Sequence, residues 1–297
     1  MKVCAACSDE LPREQFSKKQ WQLKQRRRCK ECIAANREVK LLEAPDDMPP
    51  CADGECEPCV SDDDLFKQPQ REECPICMLP LPMDFRQQKY QSCCGKIICD
   101  GCIYANQTEN NCTICAFCRA PEASSEGECL QRLKKRVEAC DAGAICQLGF
   151  YYHRGENGLR KNRKKANKLF LRAGELGCVT ANHNIGINYF NGFGVERDET
   201  KAKYYWELAA MGGNVKARHN LGILEDKIAG NTSRALKHWM IAAAAGYDKS
   251  LEGIRKAFME GHAAKDDFET ALRAHKEASD EMKSEQREVA AAFLGRN

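Results

Sequence analysis

The spacing of the cysteines constrains this chain more than any other feature. Of its 20 cysteines, 16 fall within residues 1–118 of a 297-residue sequence. Most stand in C-x2-C pairs: Cys4/Cys7, Cys29/Cys32, Cys56/Cys59, Cys74/Cys77, Cys99/Cys102, Cys112/Cys115 and Cys115/Cys118. Two residues between thiolates let one tight turn aim both sulfurs at one ion, and two such pairs complete a tetrahedral zinc shell. Chance scatter does not repeat this spacing. The N-terminus, MKVCAACSDELP, has no apolar signal-peptide core, and no apolar run approaches the roughly 20 residues of a membrane span. The expected setting is therefore cytoplasmic or nuclear, with no membrane partner. Thiols stay reduced there and read as metal ligands before disulfides. The balance of 46 Lys and Arg against 43 Asp and Glu excludes a uniformly basic, histone-like protein but allows a local basic patch.

Residues 1–43 read as a zinc finger in which Cys4, Cys7, Cys29 and Cys32 close one site. The intervening loop carries Leu11, Phe16, Trp21 and Leu23 for a mini-core, and Lys18, Lys19, Lys24, Arg26, Arg27, Arg28 and Lys30 beside them. The plain reading of those charges is a solvated basic face. The sharper one is contact with nucleic acid, because aromatics interleave with the basic residues. With Leu11-Pro12, Phe16-Ser17-Lys18 and Gln20 between its cysteine pairs, the segment resembles the LIM-like finger of a chromatin adaptor in RNA interference. That resemblance implies protein bridging at least as much as nucleic-acid binding. Residues 44–72 follow as an acidic linker, rich in Asp and Glu and punctuated by Pro45, Pro49, Pro50 and Pro58. Its Cys51, Cys56 and Cys59 lack a nearby fourth ligand and read as free thiols, with a further metal site as the alternative.

Residues 73–121 hold the densest signal: Cys74-Pro75-Ile76-Cys77, then Cys93-Cys94-Gly95-Lys96-Ile97-Ile98-Cys99-Asp100-Gly101-Cys102, then Cys115-Ala116-Phe117-Cys118-Arg119. This order resembles a RING finger. The resemblance implies two interleaved zinc sites, Cys74, Cys77, Cys99 and Cys102 in one, and Cys93, Cys94, Cys115 and Cys118 in the other. With the finger, that makes three Zn2+ ions. Two departures stand out. Lys96 occupies a place where the family usually has a histidine ligand, and a protonated lysine has no lone pair for zinc. Ala116 stands where the family usually has proline. Adjacent ligands at Cys93 and Cys94 strain the geometry, so Cys112 remains a rival for one place. By the same resemblance the module docks a ubiquitin-conjugating enzyme. Ile76 would anchor the first loop, Ile103 or Tyr104 would line the groove, and Arg119 would be the linchpin between ubiquitin and the conjugating enzyme. The alternative is that Ile76 and Tyr104 merely pack the module and Arg119 is a surface charge.

After a connecting segment at 122–138, the chain repeats itself over 139–262. Ala144-x3-Leu148-Gly149 recurs as Ala181-x3-Ile185-Gly186 and Ala217-x3-Leu221-Gly222. The positions of Phe170, Trp206 and Trp239, and of Gly177, Gly213 and Gly246, recur in step. Internal repeats of this length mean a solenoid of helix pairs. The glycines fit helix C-caps, and the aromatics fill the gap between neighbouring helices. Asn191-Gly192-Phe193-Gly194-Val195 forms a loop that the third unit lacks, which shortens that unit. Ala271 and His275 extend the register into a degenerate fourth unit. The pattern is similar to Sel-like repeats, relatives of the tetratricopeptide fold. His183 and His219 lie in register and read as packing or surface residues. Cys140, Cys146 and Cys178 read as small core residues. Residues 263–297 read as one long helix capping the last repeat.

The expected fold class is mainly α: small zinc-stabilised α+β modules followed by an α-helical solenoid. A RING followed by such repeats resembles a set of proteins encoded in diatoms and related algae. It implies a RING-type ubiquitin ligase that recruits a protein substrate on the groove of its repeat array. The alternative is a non-enzymatic zinc-binding adaptor or scaffold for a chromatin- or RNA-associated complex.

Overall fold

The computed structural model describes residues 2–3, 10–11, 62–67, 71–110 and 113–295. The chain divides into two compact units, Met1–Pro58 and Cys59–Asn297. In the first, β1 (Lys2–Val3) pairs antiparallel with β2 (Glu10–Leu11), with Lys2 opposite Leu11. The finger ligands Cys4, Cys7, Cys29 and Cys32 lie outside the described residues, as do Cys51, Cys56, Cys59 and Cys112.

The second unit begins with a short helix, α1 (Asp62–Leu65). A cysteine-rich module follows, made of a 3-10 turn at Phe85–Gln87, the antiparallel pair β3 (Gln88–Tyr90) and β4 (Ile97–Cys99), and α2 (Asp100–Asn110). The connecting segment is itself helical: α3 (Glu126–Glu138) starts at Ser125, whose hydroxyl accepts from the Glu128 amide at 3.2 Å. Leu133 of α3 is buried against Ala144 and Leu148.

The repeats are built from α4 (Ala142–Arg154), α5 (Arg163–Glu175), α6 (Val179–Asn191), α7 (Glu199–Met211), α8 (Val215–Lys227) and α9 (Thr232–Ala244), each 13 residues long. Their starts are written into the sequence. Asp141, Asn162, Asp198, Asn214 and Asn231 each cap a helix by accepting the backbone N–H three residues on, at 2.8–3.0 Å. The ends of α5, α7 and α9 share one closure. Gly177, Gly213 and Gly246 have positive φ of 84°, 97° and 89°. The next residue's amide reaches back to Ala173, Ala209 or Ala242, which is the Schellman arrangement. The third repeat has four residues between its helices, Ile228–Asn231, where the second has seven, Gly192–Asp198. That difference accounts for its shorter period.

The glycines of the Leu-Gly and Ile-Gly marks have a separate purpose. A Cβ on Gly149, Gly186 or Gly222 would stand 2.7, 2.4 or 2.2 Å from the ring of Phe170, Trp206 or Trp239. The missing methyl is what lets each aromatic lie flat on the preceding helix. All three rings are buried. The indole N–H groups of Trp206 and Trp239 donate to the carbonyls of His183 and His219, both at 3.3 Å. The register histidines thus serve the repeat through their backbones. Their rings sit against Asn220 and Ser250, and burial pushes both down to about 4, so they are neutral near pH 7.

A fourth helix pair closes the array. α10 (Asp248–Met259) and α11 (Lys265–Glu281) pack with α9, and Ala271 is buried there. The expected single terminal helix is in fact two. The helix stops after Glu281, Ser284 recaps the chain by accepting from the Arg287 amide at 3.3 Å, and α12 (Glu285–Phe293) turns away to pack on α2. Only α11 caps the repeats. The acidic linker also departs from expectation, because its end is ordered: Leu65 is fully buried in the same core as Ile145, Ile185 and Leu221.

Trp206→Ala is expected to lower stability by about 3–5 kcal/mol through cavity formation. Gly186→Ala is expected to cost about 1–3 kcal/mol by overpacking the same contact. Chemical denaturation followed by circular dichroism measures both, and unchanged midpoints would contradict this account of the repeat.

Candidate metal centre

Two short hairpin turns with the same local geometry carry the first and last C-x2-C pairs of the module. In one, the Cys74 amide donates to Leu79 at 2.9 Å and Met78 donates back to Cys74 at 2.9 Å. In the other, Cys115 donates to Ala120 at 2.8 Å and Arg119 to Cys115 at 3.0 Å. The residue after each second cysteine, Met78 or Arg119, has positive φ, 58° and 60°. Isolated bridges, Glu73 with Pro80 and Ile114 with Pro121, close the two turns. Cys99 ends β4, and Cys102 lies one turn into α2, so a strand-to-helix junction supplies the partner pair of the first turn.

The sulfurs of Cys74, Cys77, Cys99 and Cys102 lie within 4.8 Å of one another, as do those of Cys93, Cys94, Cys115 and Cys118. Individual separations are 3.9 Å for Cys74–Cys102, Cys77–Cys99 and Cys94–Cys115, and 3.4 Å for Cys93–Cys118. A tetrahedron with metal–sulfur bonds of about 2.3 Å has edges of about 3.8 Å. The two clusters therefore have the dimensions of tetrahedral thiolate sites and could each hold a metal ion. Four chain segments contribute alternately, first with third and second with fourth. Hydrogen bonding from Cys102 and Cys99, helped by the Cys77 amide, pulls Cys74 well below the ordinary thiol range. At Cys115 burial opposes the thiolate, but the amides of Cys118 and Phe117 together with hydrogen bonding from the Cys93 and Cys118 thiols outweigh it, and the thiol is lowered. Lys96 stands outside the second cluster, its Nζ 5.7 Å from the centre of the Phe117 ring.

Adjacent ligands at Cys93 and Cys94 are accommodated by a tight turn in which Gly95, at φ 72°, donates to Gln91 at 2.7 Å. A side chain on Gly95 would also meet the Arg136 guanidinium of α3, whose nitrogen is 2.3 Å from the ideal Cβ. A second arginine grips the other side of the module. Arg287 of α12 donates to the carbonyls of Pro80 and Met282, at 2.8 and 2.7 Å, and reaches the Cys77 sulfur at 3.4 Å. Nothing in the cysteine spacing points to either arginine.

The remaining candidates fall in different places. Ile76, 39% exposed, stands on the first turn, and Phe117, also exposed, stands on the second. Ile103 packs partly buried against the cysteine core. Tyr104 is partly exposed, and its ring lies 5.0 Å from that of Phe293 of α12. Arg119 is exposed, and its guanidinium donates to the side-chain Oδ1 of Asn106 at 3.0 Å. Asn106, which also donates to the Ile114 carbonyl at 3.0 Å, was not among the expected site residues. Its position one helical turn after Cys102 was the available signal.

The module also sits against the repeats. A cavity of about 520 Å³ has Leu81, Pro82 and Phe85 on one wall and Phe150, Ile187 and Val215 of α4, α6 and α8 on the other. Among the described residues no helix is long and apolar enough to cross a membrane.

Residues 142–178, 179–214 and 215–247 match the family model described as Sel1 repeat. The chain is 34% identical over 100 residues to a curated protein of Arabidopsis thaliana, the ERAD-associated E3 ubiquitin-protein ligase component HRD3B. That match covers 33% of this chain but only 15% of the relative's length. Among solved structures, a Sel1 repeat protein from Oxalobacter formigenes is 22% identical, with a TM-score of 0.47 over 61% of this chain and 71% of that one. The protective antigen c5321 of uropathogenic Escherichia coli, which displays an SLR fold, is 28% identical, with a TM-score of 0.44 over 56% of this chain and 35% of that one. Residues 142–247 are therefore a helical solenoid of Sel1 repeats, a protein-interaction array on which the paired-cluster cysteine module is mounted.

Proposed function

We propose that the chain is a RING-type ubiquitin ligase whose paired cysteine clusters each bind Zn2+ and whose repeat array recruits a protein substrate. The observation that carries this reading is the interleaving of the clusters, with first and third cysteine pairs together and second and fourth together. Interleaving makes the two metal-bearing turns parts of one rigid body in a stretch too short to fold on its own core. A zinc ion in each cluster supplies rigidity and no chemistry. A ligase of this kind works by docking a ubiquitin-conjugating enzyme and holding its ubiquitin thioester in a reactive pose, which is catalysis by positioning.

In this reading Ile76 and Phe117 are the apolar contacts for the conjugating enzyme, one from each metal-bearing turn. Ile103 supports the surface between them. Arg119 bridges to ubiquitin, since a planar fork can serve two acceptors, and Asn106 holds that fork in place. The similarity of part of the chain to a ligase component of Arabidopsis thaliana supports the reading. The adaptor reading gains support from α12, which uses the Tyr104 side of α2 for a contact within the chain. Residues 1–43 are proposed as a third zinc site and a second docking surface for protein, with nucleic acid as the alternative partner.

Two measurements test these roles. Metal analysis of the full chain is expected to find three zinc ions, falling to two in Cys99→Ser and in Cys115→Ser. Unchanged content in either variant would remove that cluster from the proposal. In an autoubiquitination assay with a panel of conjugating enzymes, the wild type is expected to form chains, and Ile76→Ala and Arg119→Ala to lose at least about tenfold in rate, on the order of 1.4 kcal/mol. Zinc-replete protein that forms no chains with any enzyme of the panel would leave the adaptor as the better account.

A further inference from the structure

The last residues of the acidic linker lie on the repeat array as a peptide ligand would. The side chain of Leu65 is fully buried among the repeat helices. Phe66 rests on His238 with ring centres 4.8 Å apart, and the guanidinium of Arg234 and the ammonium of Lys237 stand 5.2 and 5.4 Å from its ring centre. Both carboxylate oxygens of Asp62 accept from Arg234 at 2.7 Å. The Nε edge of Arg234 is ion-paired with Glu225 at 3.3 Å, and Glu225 is also paired with Lys203 at 2.9 Å.

Arg218 is the decisive residue. It is only 2% exposed, yet among the described residues its guanidinium pairs with no carboxylate. It donates to the carbonyls of Leu65 at 2.6 Å, Lys67 at 3.3 Å and Ala210 at 2.9 Å. Two of these three acceptors belong to the linker segment. A buried cation left without acceptors is strongly unfavourable, so the array is built to have something there. What it receives is the set of open carbonyls at the end of one helical turn. These carbonyls have no partner within such a turn.

We propose that this surface of α7, α8 and α9 is a peptide-docking site. Its ligand is an acid-led helical turn ending in Leu-Phe, occupied here in cis by Asp62–Lys67 and exchangeable for a partner protein carrying the same chemistry. The site has four parts: a hole for the leucine, a cationic shelf for the aromatic ring, a fork for the leading carboxylate and a buried arginine for the terminal carbonyls. Because Lys67 is seven residues from Cys74, occupancy in cis also ties the cysteine module to the array, and exchange would release that tie. The inference rests on neither the metal nor the ligase activity.

The test uses the full chain and a fluorescein-labelled synthetic peptide of residues 59–70. A short tether gives a cis ligand an effective concentration of about millimolar. The wild type is therefore expected to bind the peptide at least about tenfold more weakly than Leu65→Asp/Phe66→Ala, in which the site is vacated. Peptides carrying Phe66→Ala or Asp62→Ala are expected to lose at least about tenfold in affinity for the vacated chain. The proposal is overturned if the vacated chain, helical by circular dichroism, does not bind. Equal binding by the two chains, or of the substituted and parent peptides, also overturns it. Should the vacated chain not fold, hydrogen exchange on the wild type decides. Millimolar peptide is expected to speed exchange of the Phe66 and Lys67 amides while leaving α7, α8 and α9 unchanged, and no change at those amides would reject exchange of the ligand.

Discussion

The contact between a glycine on one helix and an aromatic ring on the next sets the spacing of the whole array. Gly149 with Phe170, Gly186 with Trp206 and Gly222 with Trp239 are the same contact made three times. Helix axes come close enough for the alanines at 166, 173, 202, 209, 235 and 242 to be buried between them, and dispersion between such close surfaces is large only in sum. Because the spacing repeats, each helix pair presents its neighbour with the same shape, and stability accumulates along the array. Three further helices are mounted on that frame: α3 leans on its first helix, α11 closes its last pair, and α1 fills a hole in its side.

The cysteine module depends on the frame differently. Its own apolar core is small, consisting of Leu81, Ile98 and the cysteines themselves, so cohesion must come from ligation within it and from grips outside it. Arg136 of α3 closes over Gly95 beside one cluster, and Arg287 of α12 reaches three groups on the first turn beside the other. Arg136 comes from a helix packed on the first repeat helix, and Arg287 from the helix that follows α11 in the chain. A partner seated on the array and a partner seated on the module are thus held by one body, which a ligase needs in order to bring substrate to ubiquitin and an adaptor needs in order to bridge.

Much of this was legible from residue order because the signals are local. A capping Asn or Asp, a C-cap glycine and a repeated aromatic act within a turn or two of themselves. The period, the helix pairs and the short third loop could accordingly be read directly. The two four-cysteine groupings followed from the RING resemblance, and the structure brings those same sulfurs together. The misreadings occur where a residue's partner is far away in sequence. The apolar pattern of 266–294 runs on through Ser284, but Ser284 starts a new helix there, and that helix packs on α2, with Phe293 against Tyr104. That Tyr104 meets Phe293 was not legible because α12 is nearly two hundred residues further along the chain. The acidic linker looked unstructured because of its acidic residues and prolines, and the receptor for Leu65 and Phe66 is built from residues far along the chain, Ala210, Arg218 and His238 among them.

By itself, then, the sequence determined a mainly helical chain, the repeat register and which thiols can act in pairs, all consequences of short-range spacing and backbone geometry. Only the tertiary structure decided which helices grip the module, that Asn106 orients Arg119, and that a buried Arg218 receives the carbonyls of a distant turn. These depend on where the packing of the repeats and the break at Ser284 bring remote segments together. A guanidinium's partners depend on which acceptors surround it once water has been excluded, and that is not encoded at any fixed offset along the chain.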